Sequence, residues 1–561
     1  MECWSNGFLR RWDSHQSINP VLHELQSLFI QKIIKVVELQ KSQFVADWLD
    51  KRAKLTPERT ALQDMVSGQE FTFAEWNSRA NRTANFLRSL GLQKGDRVSV
   101  YASNCIEYLD VLFAGGKIGV IIHNLNWRLT VHELKGIITD AEPKVLIYSS
   151  HWKQQVNELR ASLTSVKHLI AIDQKASPND RSLSERDDFS DSLNDTPDLT
   201  MDDPWGIYYT GGTTGLPKGA IMTHGNMTWN SINTVMSWNI TAEDCAPLQL
   251  PLFHIGGPNV FMLPLVHVGG KTILCREFDL DQTFDLIEDN RITHFVGVPT
   301  MFVMMQQHQR WKTADFSRMK LVISGGAPCP LPVMQKFWDK GIDFKMGYGL
   351  TEAAGNNFWL PQADVRRKIG SVGYPIFHID MKIVRSDGTP CHPNEEGELL
   401  IRGAHVTPGY WNKAKETADT IKDGWLHTGD IARQDEEGYF YIIGRRKDMF
   451  ISGGENVYPA EVESVMHAHP AVAEAALIAV PHKTWGEVGC AFVVVQNGFT
   501  LNENELLDFM RERLAKYKIP KSIVFVNELP KTAIGKIDKK ILAAKFQSQI
   551  TTNELHSQKP N

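Results

Sequence analysis

Short apolar runs alternate with helical patterns of apolar positions along most of this chain. The runs are rich in Val, Ile and Leu, and polar residues flank them. Such runs are typical of strands buried on both faces, and the helical patterns between them are typical of crossovers in parallel sheets. The clearest predicted strands are residues 98–101, 145–148, 168–172, 294–298 and 321–324. The pattern therefore predicts an α/β chain built on mainly parallel sheets.

The N-terminal extension, residues 1–43, has a different pattern. Residues 21–39 place Leu, Ile and Val at close to helical spacing among charged residues, which predicts an amphipathic helix. That helix either docks on the rest of the chain or lies on a membrane surface. At the other end of the chain, residues 549–561 are expected to form a polar tail.

A charged cluster at residues 444–448, Gly-Arg-Arg-Lys-Asp, divides the remainder into two parts. The part beyond it has its own short apolar runs, at 475–480 and 491–495, and its own helical patterns, near 460–467 and 503–516. We therefore expect a large multi-layer α/β body at 44–444, a hinge at 445–449 and a small mobile α+β domain at 450–548.

Composition excludes several classes of protein. A chain of 561 residues is too long for one core and is expected to form roughly two to four domains. The net charge of −5 argues against a general nucleic-acid binder. Seven cysteines lie far apart without a Cys-x-x-Cys pair, which indicates neither a zinc site nor a disulfide framework. With no signal-peptide pattern and no membrane-spanning run, we expect a cytoplasmic protein, with membrane association through the N-terminal helix as the alternative.

A glycine-rich loop carries the strongest chemical signal. Residues 208–220 read Tyr-Tyr-Thr-Gly-Gly-Thr-Thr-Gly-Leu-Pro-Lys-Gly-Ala, after an acidic, polar segment at 173–203 that we expect to be a surface loop. Glycine lets successive backbone N–H groups converge on one anion, while the threonine hydroxyls and Lys218 add donors and charge. Pro217 breaks the P-loop pattern, in which Gly-Lys-Ser/Thr leads directly into a helix. The loop therefore predicts a polyphosphate grip of another kind.

Further motifs follow this loop along the chain. They are Pro-Leu-Phe-His-Ile-Gly-Gly at 251–257, Gly-Gly-Ala-Pro at 325–328, Gly-Tyr-Gly-Leu-Thr-Glu at 347–352, Trp-Leu-His-Thr-Gly-Asp at 425–430, the cluster at 444–448, Ser-Gly-Gly-Glu-Asn-Val-Tyr-Pro at 452–459 and Pro-Lys-Thr-Ala-Ile-Gly-Lys at 530–536. In this order and spacing they resemble the adenylate-forming (AMP-binding) superfamily of acyl-CoA synthetases, aryl-CoA ligases, luciferases and peptide-synthetase adenylation domains. The resemblance covers nearly the whole chain, from about residue 44 to about residue 546.

The resemblance implies a reaction in two steps. A carboxylate is a poor electrophile, and joining it to the α-phosphate of ATP gives it AMP as a good leaving group. The family forms this acyl-AMP with release of pyrophosphate and then transfers the acyl group to the thiol of CoA. ATP, Mg²⁺ and CoA are therefore the implied cofactors, and a small-molecule carboxylic acid is the implied substrate.

The resemblance also implies roles for individual nucleotide-binding residues. Tyr348 would stack on adenine, Asp430 and Arg445 would hold the ribose, Thr351 would contact the α-phosphate and Glu352 would hold Mg²⁺. The full set implied for ATP and AMP is Thr210, Gly211, Gly212, Thr213, Thr214, Gly215, Lys218, Gly326, Ala327, Pro328, Tyr348, Gly349, Thr351, Asp430, Arg445 and Lys536.

The remaining implied roles concern catalysis and movement. Lys536 would be delivered by the small domain to the carboxylate and the α-phosphate, and His254 would gate the entrance for the acid, although a structural buried histidine is an alternative. With Thr351 and Glu352 they form the implied catalytic set. Lys447 matches the hinge position, and Gly453 and Gly454 would leave room for the pantetheine arm of CoA.

Several functions stay open at this stage. The leading interpretation is a CoA ligase for a fatty acid, of the long-chain acyl-CoA synthetase branch. Alternatives are an aryl-acid CoA ligase for cinnamate-like or benzoate-like acids, and an enzyme that loads a carrier protein. The last is disfavoured because residues 251–257 contain no acidic residue to hold an amino group. A non-catalytic nucleotide sensor is the most remote alternative, since Glu352, Asp430 and Lys536 are all retained.

Overall fold

The computed structural model describes residues 45–173, 177–210, 217–289, 291–452, 455–482, 484–532 and 536–544. The predicted helix at 21–39 and the tail at 549–561 lie outside these residues. Val45 and residues 199–201 belong to a separate small unit, and the remaining described residues belong to one compact unit. None of the described helices combines the length and the apolar character needed to cross a membrane.

The helices of the structure are bounded as follows. They are α1 (Trp48–Leu55), α2 (Phe73–Ser89), α3 (Ile106–Ile118), α4 (Val131–Ala141), α5 (Lys153–Leu159), α6 (His224–Trp238), α7 (Leu263–Val268), α8 (Leu280–Glu288), α9 (Pro299–Gln307), α10 (Leu331–Asp339), α11 (Ala414–Thr420), α12 (Pro459–His467) and α13 (Glu503–Arg511). A one-turn π-helix, Pro258–Met262, runs directly into α7.

The strands of the body come first along the chain. They are β1 (Thr60–Asp64), β2 (Glu70–Thr72), β3 (Arg97–Tyr101), β4 (Ile121–Asn124), β5 (Val145–Tyr148), β6 (His168–Ala171), β7 (Arg181–Ser182), β8 (Pro204–Thr210), β9 (Lys218–Thr223), β10 (Cys245–Leu248), β11 (Lys271–Leu274), β12 (His294–Gly297), β13 (Leu321–Ser324) and β14 (Phe344–Met346).

The later strands lie near the charged cluster and beyond it. They are β15 (Phe358–Trp359), β16 (Tyr374–Pro375), β17 (Asp380–Val384), β18 (Gly397–Arg402), β19 (Ile421–Lys422), β20 (Trp425–Gln434), β21 (Phe440–Arg445), β22 (Phe450–Ser452), β23 (Glu455–Val457), β24 (Val472–His482), β25 (Gly486–Val495) and β26 (Ser522–Phe525).

Three sheets with parallel strands build most of the body. The largest has the order β7-β6-β5-β3-β4-β8-β9 and is parallel except for the β8–β9 hairpin. A second has the order β10-β11-β1-β2, with β2 antiparallel, and a third is the all-parallel set β12-β13-β14. The predicted strands appear in these sheets, and β5 and β13 are buried on both faces, as their apolar runs predict. The expected α/β body with mainly parallel sheets is confirmed.

Two mainly antiparallel sheets lie later in the chain. The sheet β17-β18-β20-β19, with β21 paired to β20, lies before the charged cluster, and the sheet β23-β22-β25-β24, with β26 paired to β25, lies after it. The second sheet packs with α12 and α13 around its own core, which includes Val462, Leu477 and Leu506. The expected smaller C-terminal α+β domain is thus present, while its boundaries stay a prediction.

Residues 177–203 contain more regular structure than the expected surface loop. They include β7 and a 3-10 helix, Leu183–Asp188, within which Arg186 is 5% exposed. Arg186 and Arg79 each form an ion pair of 2.7 Å with the buried Asp110 of α3. A buried carboxylate needs such partners, and the pairing ties this polar segment to the body.

Candidate active site

The candidate site begins at the carboxyl edge of β13 and β14. Beyond the strand ends, the N–H of Gly325 donates to the carbonyl of Gly297 at 2.9 Å, and that of Gly347 donates to Ser324 at 2.8 Å. These bonds extend the sheet into the two glycine-rich turns. In open parallel sheets, ligands bind outside the carboxyl ends of the strands, so the turns lie where a ligand is expected.

Gly349 allows the second turn to fold back on itself. A Cβ atom added at Gly349 would lie 1.5 Å from the carbonyl oxygen of Gly355, so only glycine fits there. The fold-back brings Thr351 to the start of a 3-10 turn, where it is 8% exposed. In the neighbouring turn, Gly326 has a φ of +80°, which also favours glycine.

A buried network of amides anchors the segment after Thr351. The side-chain amide of Asn259, in the π-helix, donates to the carbonyl of Ala354 at 2.7 Å. Asn230 donates to the carbonyl of Asn259 at 2.9 Å, and Asn356 donates to the hydroxyl of Thr234 at 2.9 Å. All five residues are buried. The network therefore fixes the loop that carries Thr351 against α6 and the π-helix.

Asp430 lies between Tyr348 and Arg445. The phenol of Tyr348 donates to Oδ2 of Asp430 at 2.5 Å, and Nε of Arg445 lies 3.1 Å from Oδ1. Asp430 and Arg445 are paired residues of β20 and β21, which sets their distance. Burial raises the pKa of Asp430 above its ordinary value, although Arg445 and Tyr348 oppose the shift. The structure thus brings together three residues expected to bind the nucleoside.

Lys536 reaches this group from the C-terminal domain. Its Cε lies 3.2 Å from the position that a Cβ of Gly326 would occupy. Burial and the charges of Arg445 and Lys447 lower the pKa of Lys536 to about 8, and Asp430 acts in the opposite direction. Lys536 therefore lies near Asp430, the residue expected to hold the ribose, and against the turn at 325–328. Ala327 and Pro328 of that turn are exposed.

His254 is half-buried in a tight turn. Its Nδ1 accepts a hydrogen bond of 3.1 Å from the N–H of Gly256, and its carbonyl accepts one of 2.9 Å from Gly257. Burial and the positive charge of Lys536 lower the pKa of His254 to about 4. The imidazole is therefore neutral near pH 7, and because Nδ1 is an acceptor, the ring proton resides on Nε2. His254 can donate one hydrogen bond from Nε2, close enough to Lys536 to sense its charge.

The phosphate-loop lysine and the expected metal ligand meet at Tyr410. The phenol of Tyr410 donates to Oε1 of Glu352 at 2.8 Å. The Nζ of Lys218 lies 5.1 Å from the centroid of the same ring, a cation–π contact. Thr210, paired with Lys218 in the β8–β9 hairpin, places its hydroxyl 3.4 Å from the Lys218 carbonyl.

Tyr410 is a site residue that sequence reasoning missed. The structure holds it in place through the bonds of the turn around it: the N–H of Trp411 donates to the carbonyl of Gly219 at 2.7 Å, and Ala220 forms a β-bridge with Tyr410. The sequence signal is a Pro-Gly-Tyr-Trp turn at 408–411. Nothing in that turn alone points to Glu352.

The donor set around Glu352 fits Mg²⁺ that arrives with a nucleotide. Mg²⁺ usually binds through one or two carboxylates together with substrate phosphates. Glu352 offers one carboxylate. Lys218, whose ammonium contacts the ring of the same Tyr410, offers positive charge that can bind a phosphate. Across the residues that the structure describes, no group of three or more His, Cys, Asp or Glu side chains could hold a metal. Glu352 and Lys218 therefore fit an Mg²⁺ ion that is shared with the phosphates of ATP.

Some expected site residues lie outside the described residues. They are Gly211, Gly212, Thr213, Thr214 and Gly215 of the phosphate loop and Gly453 and Gly454 of the expected CoA channel. Lys447 is described and lies between β21 and β22, where burial and Arg445 lower its pKa.

The segment that follows His254 is apolar. Behind His254, the π-helix and α7 bury Phe261, Met262, Leu263 and Leu265 to 3% exposure or less, which makes them core residues. Val260 stays partly exposed and packs with the cluster that includes Phe261, Trp238, Val296 and Ile323.

Family profiles match both parts of the chain. The profile described as AMP-binding enzyme matches residues 49–411, and the profile described as AMP-binding enzyme C-terminal domain matches residues 461–536.

Individual proteins match over most of their length. A feruloyl-CoA synthase from Amycolatopsis sp. is 39% identical over 506 residues, covering 90% of this chain and 100% of that protein. An indoleacetate–CoA ligase from Aromatoleum aromaticum is 36% identical over 499 residues, covering 88% and 96%. Among solved structures, the o-succinylbenzoate CoA synthetase from Bacillus subtilis, in complex with its acyl-adenylate intermediate, has a TM-score of 0.78 and 32% identity, covering 88% of this chain and 96% of that one.

Proposed function

This chain belongs to the AMP-binding enzyme family, and from that premise we propose that it activates an aryl carboxylic acid. Its relatives are acid–CoA ligases, and the chain itself is an AMP-forming acid–thiol ligase that uses ATP and CoA. The proposal therefore concerns the acid and the roles of individual residues.

The first step joins the acid to AMP. An oxygen of the acid carboxylate attacks the α-phosphorus of ATP, and the bond to the bridging oxygen breaks, releasing pyrophosphate. Lys218 and the phosphate loop would hold the departing phosphates, and Glu352 would hold the Mg²⁺ that neutralises part of their charge. Thr351 would donate to the α-phosphate, where negative charge accumulates.

Lys536 and His254 would act where the carboxylate meets the phosphate. With a pKa of about 8, Lys536 is roughly nine-tenths protonated at pH 7, so it supplies positive charge between the two anions. The Nε2–H of the neutral His254 would donate to the acid. Tyr348, Asp430 and Arg445 would fix the nucleoside at the other side of the same lysine.

The second step needs a different arrangement. The thiolate of CoA attacks the acyl carbon, and the bond to the AMP oxygen breaks. In the present structure Lys536 lies in the site, which suits the first step. Lys447 would serve as the hinge about which the C-terminal domain rotates. The rotation would move Lys536 out of the site and bring in the segment with Gly453 and Gly454, which would leave a channel for the pantetheine arm.

The names of the relatives carry the proposal of an aryl acid. The feruloyl, indoleacetate and o-succinylbenzoate relatives are each named for a ring-bearing acid, and each match covers 88% or more of this chain. In the structure, Trp238 and Phe261 lie 5.8 Å apart in the buried core beside the sheet whose edge holds the site.

A fatty acid, the leading interpretation from sequence, is supported less well. The relatives at 39% and 36% identity are named for ring-bearing acids rather than for alkyl acids.

Pyrophosphate release tests the proposal. The protein is incubated with ATP and Mg²⁺ and with cinnamate-like, benzoate-like and fatty acids, each with and without CoA. We expect aryl acids to give the highest kcat/KM and to yield CoA thioesters. A preference for medium-chain or long-chain fatty acids would overturn the aryl proposal, and acyl transfer only to a carrier protein would overturn CoA as the acceptor.

A further inference from the structure

Asp430 lies at the end of a bulge in β20. Between two register pairs of β18 and β20, the single residue Leu399 of β18 faces three residues of β20, at 428–430. Extra residues of this kind bend a strand and redirect its side chains, and they are frequent beside active sites. The conformation of the bulge therefore decides where the carboxylate of Asp430 lies.

The bulge is held by side-chain bonds that a regular strand ladder does not contain. The hydroxyl of Thr428 donates to the carbonyl of Leu399 at 2.7 Å and accepts from the N–H of Asp430 at 3.0 Å. Gly429, between them, has a φ of +69°, which favours glycine. A backbone in this conformation keeps its shape only where its own polar groups are bonded to neighbours.

Glu398 of β18 binds the middle of the bulge. Its Oε1 accepts a hydrogen bond of 3.2 Å from the N–H of Gly429, and its Oε2 accepts one of 3.3 Å from Nδ1 of His427. The Glu398 side chain is 17% exposed. Hydrogen bonds to an ionised acceptor are stronger than those between neutral groups, so one carboxylate ties the bulge firmly to the neighbouring strand.

The charged cluster at 444–448 binds the other side of the same residue. The carbonyl of Gly429 accepts a hydrogen bond of 2.9 Å from the N–H of Arg446, and the Arg446 guanidinium lies 3.9 Å from Oε2 of Glu398. Arg446 precedes Lys447, the proposed hinge, so its bond depends on the conformation of the hinge. Glu398 supports the bulge from within the body.

We propose that Glu398 is a positioning residue for the nucleotide. Through Gly429 it holds Asp430 where that carboxylate accepts hydrogen bonds from the ribose hydroxyls of ATP. The inference rests on the proposed function, in which Asp430 binds the ribose. Glu398 acts through the bulge, so its loss should reduce discrimination at the ribose. A purely structural role would reduce the rate with every nucleotide alike.

Two nucleotides measure this discrimination in the wild-type enzyme. They are ATP and 2′,3′-dideoxy-ATP, and kcat/KM for pyrophosphate release is measured for each with the acid that gives the highest rate. We expect ATP to exceed the dideoxy nucleotide about 10- to 100-fold, as for the loss of hydrogen bonds to a charged group. Equal values would overturn the ribose role of Asp430 and this inference with it.

Two variants remove the support from Gly429. Glu398→Met keeps the length of the side chain but has no oxygen acceptor, and Glu398→Asp keeps the charge but is one methylene shorter. We expect the ratio of kcat/KM between the two nucleotides to fall to within about threefold of one in both variants. Glu398→Asp decides the matter if Glu398→Met does not fold. Retention of the full ratio in a folded variant would overturn the inference.

Glu398→Gln is the conservative variant. Its amide oxygen can still accept from the N–H of Gly429. The ratio should therefore stay within about threefold of the wild-type value. A fall as large as that in Glu398→Asp would show that the bond to Gly429 is not what matters and would overturn the inference.

Glu395→Met is the matched control. Glu395 also accepts a hydrogen bond from a backbone N–H, that of His392 at 2.9 Å, and it binds Arg385 at 2.6 Å. The variant removes bonds of the same kind from another turn of the body, and the ratio between the nucleotides should keep its wild-type value. A fall of the ratio in this control would assign the effect to general destabilisation and would overturn the inference.

The two proposals fail in different ways. Because the ratio is measured with whichever acid is turned over fastest, a preference for fatty acids would overturn the aryl-acid proposal alone. A wild-type preference for ATP that survives in folded Glu398→Met or Glu398→Asp would overturn only the inference.

Discussion

The phenol of Tyr410 donates a hydrogen bond of 2.8 Å to the carboxylate of Glu352. The same ring lies 5.1 Å from Nζ of Lys218. One tyrosine thus connects the proposed metal ligand with the phosphate-loop lysine. Because a carboxylate held by a hydrogen bond loses less freedom when it binds a cation, Tyr410 is expected to position Glu352 for Mg²⁺.

Removal of the Tyr410 hydroxyl is expected to weaken the response to Mg²⁺. Tyr410→Phe keeps the ring beside Lys218 but loses the hydrogen bond to Glu352. A hydrogen bond to a charged group contributes about 1.5–3 kcal/mol, so the Mg²⁺ concentration for half-maximal pyrophosphate release should rise about 10- to 100-fold. The measurement is a Mg²⁺ titration at saturating ATP and acid.

Tyr439→Phe is the matched control for this titration. Tyr439 donates a hydrogen bond of 2.6 Å to Asp364, so the variant removes the same kind of bond elsewhere in the body. Its Mg²⁺ titration should coincide with that of the wild type. An unchanged midpoint in Tyr410→Phe would contradict the positioning role.

Much of the body could be predicted from local sequence. The strands β5 and β13 match the predicted runs at 145–148 and 321–324 residue for residue, because each is a short and mainly apolar run that follows a lysine. The helix expected at 503–516 is shorter, since α13 ends at Arg511. Element ends depend on capping and packing, which the periodic pattern does not contain.

Contacts between distant segments could not be predicted in the same way. The sequence indicates Glu352 and Asp430 because each lies in a recognisable motif, but Tyr410 carries no such signal. Its position beside Glu352 depends on the β-bridge to Ala220 and the bond from Trp411 to Gly219, which form only in the folded chain. The ion pair of Arg186 with the buried Asp110 could not be predicted for the same reason, because the two residues lie far apart in sequence.

Gly349→Ala is expected to destabilise the site loop. The added Cβ would lie 1.5 Å from the carbonyl oxygen of Gly355, which forces the backbone apart. Strain of this kind typically costs about 1–3 kcal/mol or more, so thermal unfolding should occur several degrees lower. Gly325→Ala provides the comparison, because an added carbon there meets nothing within 4 Å. An equal melting temperature for both variants would contradict the close approach at Gly349.

The adenylation rate is expected to fall as the pH rises through about 8. The pKa of Lys536 is lowered to about 8, so its charged form predominates below that pH and is lost above it. Since the positive charge supports attack on the phosphate, the rate should fall about tenfold per pH unit on the alkaline side. Lys536→Arg keeps its charge over this range and should remove the alkaline decline, even at a lower rate. A decline with the same midpoint in Lys536→Arg would assign the titration to another group.

Lys536→Ala is expected to separate the two half-reactions. Lys536 comes from the C-terminal domain but lies against Gly326 of the body and near the Asp430 carboxylate. We therefore expect Lys536 to act in the domain arrangement of this structure, which suits the first half-reaction. Loss of one donor to developing charge typically slows a reaction about 10²- to 10³-fold, and we expect this loss in ATP-dependent formation of the acyl-adenylate. Thioester formation from a synthetic acyl-adenylate and CoA should retain most of its rate, because the lysine has left the site by then.

The two rates are measured separately by rapid quench, with circular dichroism as the control for folding. Equal losses in both half-reactions would contradict the exchange of domains and leave Lys536 as a residue needed for the site as a whole.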